Sequence, residues 1–191
     1  PTYVHDKSQL RKGVNLPILV NFFAQRGNLS LFYFFSAHVF CEMYKWWSNE
    51  NYTDRWVNCP SSMFMAGLNR TTADIGKIDT LISIVGMKCC NVTNTNLKSE
   101  CIIDRSWRHS LDRPNSWGTC PEGYFVSGLE TRMKENTRLS NMDAATCCKI
   151  QGFPDKYSDC YEEDVSQSMH FKKVGLSQCS KEKYFMTGFY K

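Results

Sequence analysis

The chain has 191 residues, a net charge of +4 spread along its length, and ten cysteines against four histidines. That length can bury one sizeable core or two small ones without staples, and its basic residues adjoin only in pairs such as Arg11-Lys12 and Lys172-Lys173, which excludes a basic stripe for nucleic acid. An even cysteine set without the Cys-x-x-Cys and Cys/His pairs of zinc sites indicates disulfides, and with them a secreted protein in an oxidising, extracellular compartment.

Residues 1–40 carry two apolar stretches flanking Arg26-Gly27-Asn28, which predicts an N-terminal β-hairpin segment. Neither arm is long enough for a membrane helix, although each matches the length of a membrane β-strand. From residue 41 onward the chain repeats itself. The phrase RWVNCPSSMFMAGLN at Arg55 returns as SWGTCPEGYFVSGLE at Ser116, and a weaker copy, VGLSQCSKEKYFMTGFY, begins at Val174. The spacing is held: Cys41 to Cys59 is 18 residues, Cys101 to Cys120 is 19 and Cys160 to Cys179 is 19. Two of the copies end in a double cysteine, Cys89-Cys90 and Cys147-Cys148, and a third pair falls due beyond Lys191. Matched spacing over a period of about sixty residues predicts symmetry-related units, each too small to bury its own face. The expected organisation is a hairpin segment, 1–40, and a cysteine-rich repeat domain, 41–191, divided at 41–100, 101–159 and an incomplete 160–191. The expected fold class is mainly β and disulfide-rich, with three quasi-equivalent repeats in a β-prism-like or sandwich-like arrangement.

Within a unit, MFMAGL, YFVSGL and YFMTGF read as strands whose glycines, Gly67, Gly128 and Gly188, mark a bend or the close approach of another backbone. The segment before each double cysteine has apolar residues spaced by three, which suits a bulged strand or a short helical turn. Adjacent cysteines in a strand point to opposite faces and need different partners. One connectivity stays inside units: Cys41 and Cys59 take Cys89-Cys90, Cys101 and Cys120 take Cys147-Cys148, and Cys160 bonds Cys179. The other links each pair forward and closes a ring through Cys41 and Cys179. Spacing leaves both open.

Four Asn-x-Ser/Thr sequons predict glycosylation at Asn28, Asn51, Asn69 and Asn91. A Gly-x-Ser-x-Gly elbow, a phosphate loop and a His-Glu-x-x-His motif are absent from the sequence, so no catalytic residue, metal or cofactor is assigned and a non-enzyme is expected. Glu162, Glu163 and Asp164 read as a solvated acidic loop, and His109 and His170 as surface or capping residues. Trp56 and Trp117, three residues before a cysteine, are expected to pack on disulfides. Trp46, Trp47 and Trp107 lie in more variable loops and are the candidate ligand-binding residues, displayed as platforms for a sugar ring or a lipid headgroup.

The pattern Cys, Trp-x-x-Cys-Pro, Gly-Leu, Cys-Cys over about residues 41–191 resembles tandem repeats of secreted invertebrate proteins, including regions that follow perforin-like domains in egg and venom toxins. It is also loosely similar to dermatopontin-type matrix proteins. The resemblance implies a non-catalytic recognition module for glycans or cell surfaces, or for membrane lipids as the targeting end of a pore-forming toxin, or else a structural matrix or egg protein. Partners are then glycans, lipids or other subunits of an assembly.

Overall fold

In a computed structural model of the chain, the structure describes residues 9–12, 39–45, 56–70, 84–92, 98–113, 115–131, 142–151, 155, 160–164, 174–181 and 184–190. These are mainly β. The strand β1 (Gln9–Lys12) comes first. The first sequence copy supplies β2 (Val39–Lys45), β3 (Trp56–Asn58), β4 (Phe64–Arg70) and β5 (Ile84–Val92). The second supplies β6 (Ser99–Asp104), the short helix α1 (Trp107–Leu111), β7 (Trp117–Thr119), β8 (Phe125–Thr131) and β9 (Met142–Ile150). The last gives β10 (Tyr161–Asp164), β11 (Gly175–Gln178) and β12 (Met186–Tyr190).

These strands form three four-stranded antiparallel sheets, ordered β11-β4-β5-β2, β3-β8-β9-β6 and β10-β1-β12-β7. The short strands that carry Trp56, Trp117 and Leu176 all leave their own copy: β3 pairs with β8, β7 with β12 and β11 with β4. The exchange closes a ring, so each sheet depends on a neighbour for one edge. Backbone bonds just past these strands repeat the rule, with the N–H of Cys59 donating to the carbonyl of Ser127 at 2.7 Å, Cys120 to Thr187 at 2.8 Å and Cys179 to Ala66 at 3.0 Å. The glycines sit where the borrowed strand crosses. A Cβ at Gly67 would lie 2.7 Å from the Ser177 carbonyl oxygen, and one at Gly128 would lie 2.8 Å from that of Val57, far inside contact distance.

Among the described residues, the segments before the double cysteines are extended strands, β5 and β9. The irregularity lies in their partners, which bulge between Met65 and Gly67 and between Val126 and Gly128. In β9 the burial of Met142, Ala144, Ala145, Cys147, Cys148 and Ile150 leaves no fully solvated face, as suits a central strand.

The bridges are Cys41–Cys90, Cys59–Cys89, Cys101–Cys148 and Cys120–Cys147, so the connectivity within each copy is the one formed. Cys90 and Cys148 face Cys41 and Cys101 directly across the sheet, with Cα atoms 4.1 Å apart in both pairs. Their neighbours Cys89 and Cys147 point to the other face and take the cysteines that follow the borrowed strands.

The third sheet departs from this plan. Here β1 lies between β10 and β12, as β5 lies between β2 and β4 and β9 between β6 and β8. By register, Met186 faces Lys12 where Met65 and Val126 face Cys89 and Cys147. The middle position of this sheet is thus taken by a strand from the N-terminal segment, and β1 contains no cysteine. A Cys160–Cys179 bridge is not among the four; Cys160, exposed, and Cys179, half-buried, stand outside them. In the other sheets the corresponding residues bond successive positions of the middle strand and not each other. The predicted turn at Arg26-Gly27-Asn28 falls outside the described residues.

Two apolar clusters form on opposite sides of the middle strands. In one, Phe64, Phe125 and Phe185 meet edge to face, with centroids 5.3, 5.4 and 5.5 Å apart. This near-equilateral triangle draws one ring from each sequence copy, and each edge-to-face pair contributes about 0.5–1.5 kcal/mol beyond the area buried. The other cluster joins Met65, Leu68, Val126, Leu129, Met186 and Phe189 with the bridges Cys59–Cys89 and Cys120–Cys147. Among the described residues no helix is long and apolar enough to cross a membrane.

Candidate recognition surface

The turn between each borrowed strand and the phenylalanine of the next strand sets the surface. Its backbone closes with Met63 N–H donating to the Pro60 carbonyl and Tyr124 N–H to that of Pro121, both at 3.0 Å. Ser62 and Gly123, at matching positions, adopt left-handed φ of 64° and 85°. The turn therefore delivers one side chain, Met63, Tyr124 or Tyr184, immediately before the buried phenylalanine.

Each of these side chains meets a polar or charged group. Tyr44 Oη lies 3.6 Å from Met63 Sδ and donates to Glu42 Oε2 at 2.6 Å. That bond to a carboxylate holds the Tyr44 phenol above its ordinary range. At the second turn the Lys149 ammonium lies 5.4 Å from the Tyr124 ring centroid and 2.9 Å from Asp155 Oδ1. The hydrogen bond between them raises Lys149 and lowers Asp155, so both stay charged over a widened range. At the third turn Lys181 lies over both Tyr161 and Tyr184, at 4.5 and 5.2 Å. Burial is the main cause that pushes the Tyr161 phenol up, against hydrogen bonds from Ser180 and the Lys181 backbone that pull it down.

The sequence candidates fare differently. Trp107 is not displayed: it is fully buried, so its assignment as a ligand platform is corrected. The loop that was expected to present it folds into α1, which sets Trp107 and Leu111 one turn apart on a single face. That face lies on β7, where a Cβ at Gly118 would stand 3.1 Å from both side chains, and Trp107 meets Phe189 edge to face at 5.9 Å. Trp46 and Trp47 lie outside the described residues, as do Asn28, Asn51 and His170. Asn69 and Asn91 are half-buried within β4 and β5, and His109 is exposed on α1. Trp117 packs against Tyr190, its cross-strand neighbour, with ring centroids 5.1 Å apart and planes tilted by 49°. Glu162, Glu163 and Asp164 form strand β10 and not a loop, because pairing with β1 gives their backbone a ladder.

Tyr124, Lys149, Asp155, Tyr161, Lys181 and Tyr184 were not singled out from sequence. The Tyr-Phe that opens both YFVSGL and YFMTGF was the available signal for opposed faces, although both faces are packed here: Phe125, Phe185 and Tyr184 are buried and Tyr124 is half-buried. No protein-family model, no curated protein and no solved structure matches this chain. Its class therefore rests on its architecture, a mainly β protein braced by four disulfides.

Proposed function

We propose that this chain is a non-catalytic, secreted recognition module for glycans or cell surfaces, built from three quasi-equivalent units in a β-prism-like ring. The cyclic exchange of short strands and the triangle of Phe64, Phe125 and Phe185 support the arrangement. Four disulfides support an oxidising compartment. The resemblance to repeats that follow perforin-like domains agrees with a role in attachment.

The observation that carries the reading is the recurrence of an aromatic ring with an ammonium at two matching turns, Tyr124 with Lys149, which Asp155 also holds, and Tyr184 with Lys181, which lies over Tyr161 as well. An aromatic face takes the apolar side of a sugar while charged groups take its hydroxyls. Weak sites repeated in space gain avidity with no new contact. The test is a glycan array and cell-surface binding with the wild type, Tyr124→Ala, Tyr161→Ala and Trp46→Ala. Loss of binding in the tyrosine variants supports the reading, and a wild type that binds neither glycans nor cells ends it.

A second reading, a structural assembly protein, draws on Phe40 and Met43 on β2 and Ile102 and Ile103 on β6, all exposed on strands at sheet edges. Stable oligomers without ligand binding would favour it.

A further inference from the structure

The rings of Tyr161, on β10, and Tyr184, just before β12, stand at 80° with centroids 4.9 Å apart. Such a corner presents the negative side of an aromatic quadrupole to a cation. It already holds one. The Lys181 ammonium lies 4.5 Å from the Tyr161 centroid and 5.2 Å from that of Tyr184. The charge nearby is mixed: Glu162, Glu163 and Asp164 follow Tyr161 along β10, while Lys12 and Arg11 of β1 stand opposite Tyr161 and Glu162 by register, so the two ring faces carry the attraction. The turn bearing the lysine is pinned to that strand: the Lys181 N–H donates to Tyr161 Oη at 3.1 Å and the Ser180 N–H to Glu163 Oε2 at 3.2 Å.

The matching turn of the second copy gives an independent comparison. Its ring, Tyr124, also receives an ammonium, but from Lys149 on β9 and not from the turn. Two lysines at unrelated chain positions reach corresponding rings, which points to the ring position as the cation-accepting feature. Lys149 is tied to Asp155 by an ion pair, whereas Lys181 sits on an exposed turn beside two rings.

We propose that the Tyr161–Tyr184 corner is a binding site for a quaternary ammonium group, the chemistry of a choline headgroup, and that Lys181 is its removable internal occupant. A primary ammonium is strongly hydrated and regains that hydration when it swings out from an exposed turn. A trimethylammonium group has no N–H to leave unsatisfied and gives up less water on entering an aromatic corner. Exchange of one for the other is therefore favourable in the direction of the ligand. The inference deepens the recognition reading and rests on it.

The test is a titration of the whole chain with choline chloride, followed through the ring resonances of Tyr161 and Tyr184, with phosphatidylcholine vesicles as a second arm. Choline is expected to shift both rings in the wild type. Lys181→Gln, which removes the competing cation, is expected to bind choline about tenfold more tightly, and Tyr161→Leu to lose the shifts. Tyr161→Phe keeps the ring and is expected to keep binding, which separates the aromatic face from the hydroxyl. Binding to vesicles as well as choline assigns the site to a lipid headgroup, and choline alone assigns it to a soluble source. A folded Lys181→Gln protein whose rings ignore choline, or shifts that survive Tyr161→Leu, overturns the proposal. If that protein still binds glycans or cells, the recognition reading stands without it.

Discussion

The backbone N–H of Cys179 donates to the carbonyl oxygen of Ala66 at 3.0 Å, joining the last sequence copy to the first. Ala66 stands at the bulge of β4, one residue before Gly67, so the bond and the close approach belong to one crossing. Corresponding bonds at Ser127 and Thr187 make the crossing a recurring device, by which each copy completes its neighbour's sheet.

The glycines at these crossings, Gly67 and Gly128, are the sensitive points. In Gly128→Ala the new methyl meets the Val57 carbonyl oxygen at 2.8 Å and the Asn58 side chain, and it must push β3 off β8. The expected cost is about 2–4 kcal/mol, in the range of an overpacked core position with lost strand pairing. Denaturant unfolding measures it. Gly175→Ala is a useful contrast, since nothing lies within 4 Å and only its φ of 121° resists the change. A Gly128→Ala protein as stable as the wild type would mean that β3 is not held there.

The third sheet is held differently from the other two. Strands β5 and β9 are each tied by two disulfides, whereas the short β1 joins β10 and β12 through backbone pairing and contains no cysteine. A bridge contributes about 2–4 kcal/mol against opening. Amides of Gln9–Lys12 are therefore expected to exchange with solvent at least about tenfold faster than those of the central residues of β9. Exchange mass spectrometry under non-reducing conditions reads this directly, and equal protection would contradict it.

The four bridges also differ in accessibility. Cys101 is exposed and Cys41 half-exposed, while Cys59, Cys89, Cys120 and Cys147 are buried. Attack on a disulfide requires access to sulfur, so mild reductant is expected to open Cys41–Cys90 and Cys101–Cys148 first. Timed alkylation and peptide mapping give the order. First reduction at Cys59–Cys89 would conflict with the burial of that bridge.

Much of this was legible in the sequence because it is local or repeated. The strand around MAGL, VSGL and MTGF, the opposed faces of Cys89 and Cys90, and the close approach at the glycines all follow from period-two geometry and a missing Cβ. The cyclic exchange was not legible, since pairing of β3 with β8 and not β4 depends on which edges remain open after the whole chain has folded. The same holds for β1, whose four residues, Gln9–Lys12, carry no mark of a central strand. Trp107 misled because its burial needs the turn of α1, and a five-residue helix leaves a faint periodic signal.

Trp107 offers a test of that correction. Its Nε1 is buried with no hydrogen-bond partner among the described residues, an arrangement that costs stability. Trp107→Phe removes the orphaned donor along with part of the ring, so the two changes offset and a shift within about 1.5 kcal/mol is expected. Trp107→Ala leaves a cavity beside Phe189 and is expected to cost about 3–5 kcal/mol. Neither is expected to alter ligand binding in the fraction that remains folded. A specific loss of binding in Trp107→Phe, at unchanged stability, would restore the tryptophan as a ligand platform.

The Tyr161 phenol gives a pH dependence with a definite sign. Burial disfavours the phenolate and, with the negative charge of Glu163, outweighs the hydrogen bonds from Ser180 and the Lys181 backbone, so the folded state holds the proton more firmly than the unfolded chain does. Stability from this group is fully present below the unfolded value of about 10 and is lost as pH rises through the higher folded value. The wild type is thus expected to lose stability across that alkaline window more steeply than Tyr161→Phe, which has no proton to lose there. Melting curves at a series of alkaline pH values measure the difference, paired with ultraviolet titration of the phenols. Because Tyr44 is also raised, by its bond to Glu42, a Glu42→Gln variant separates the two late-titrating rings. If the late step persists in Tyr161→Phe/Glu42→Gln, burial at the Tyr161–Tyr184 corner is not what holds the proton.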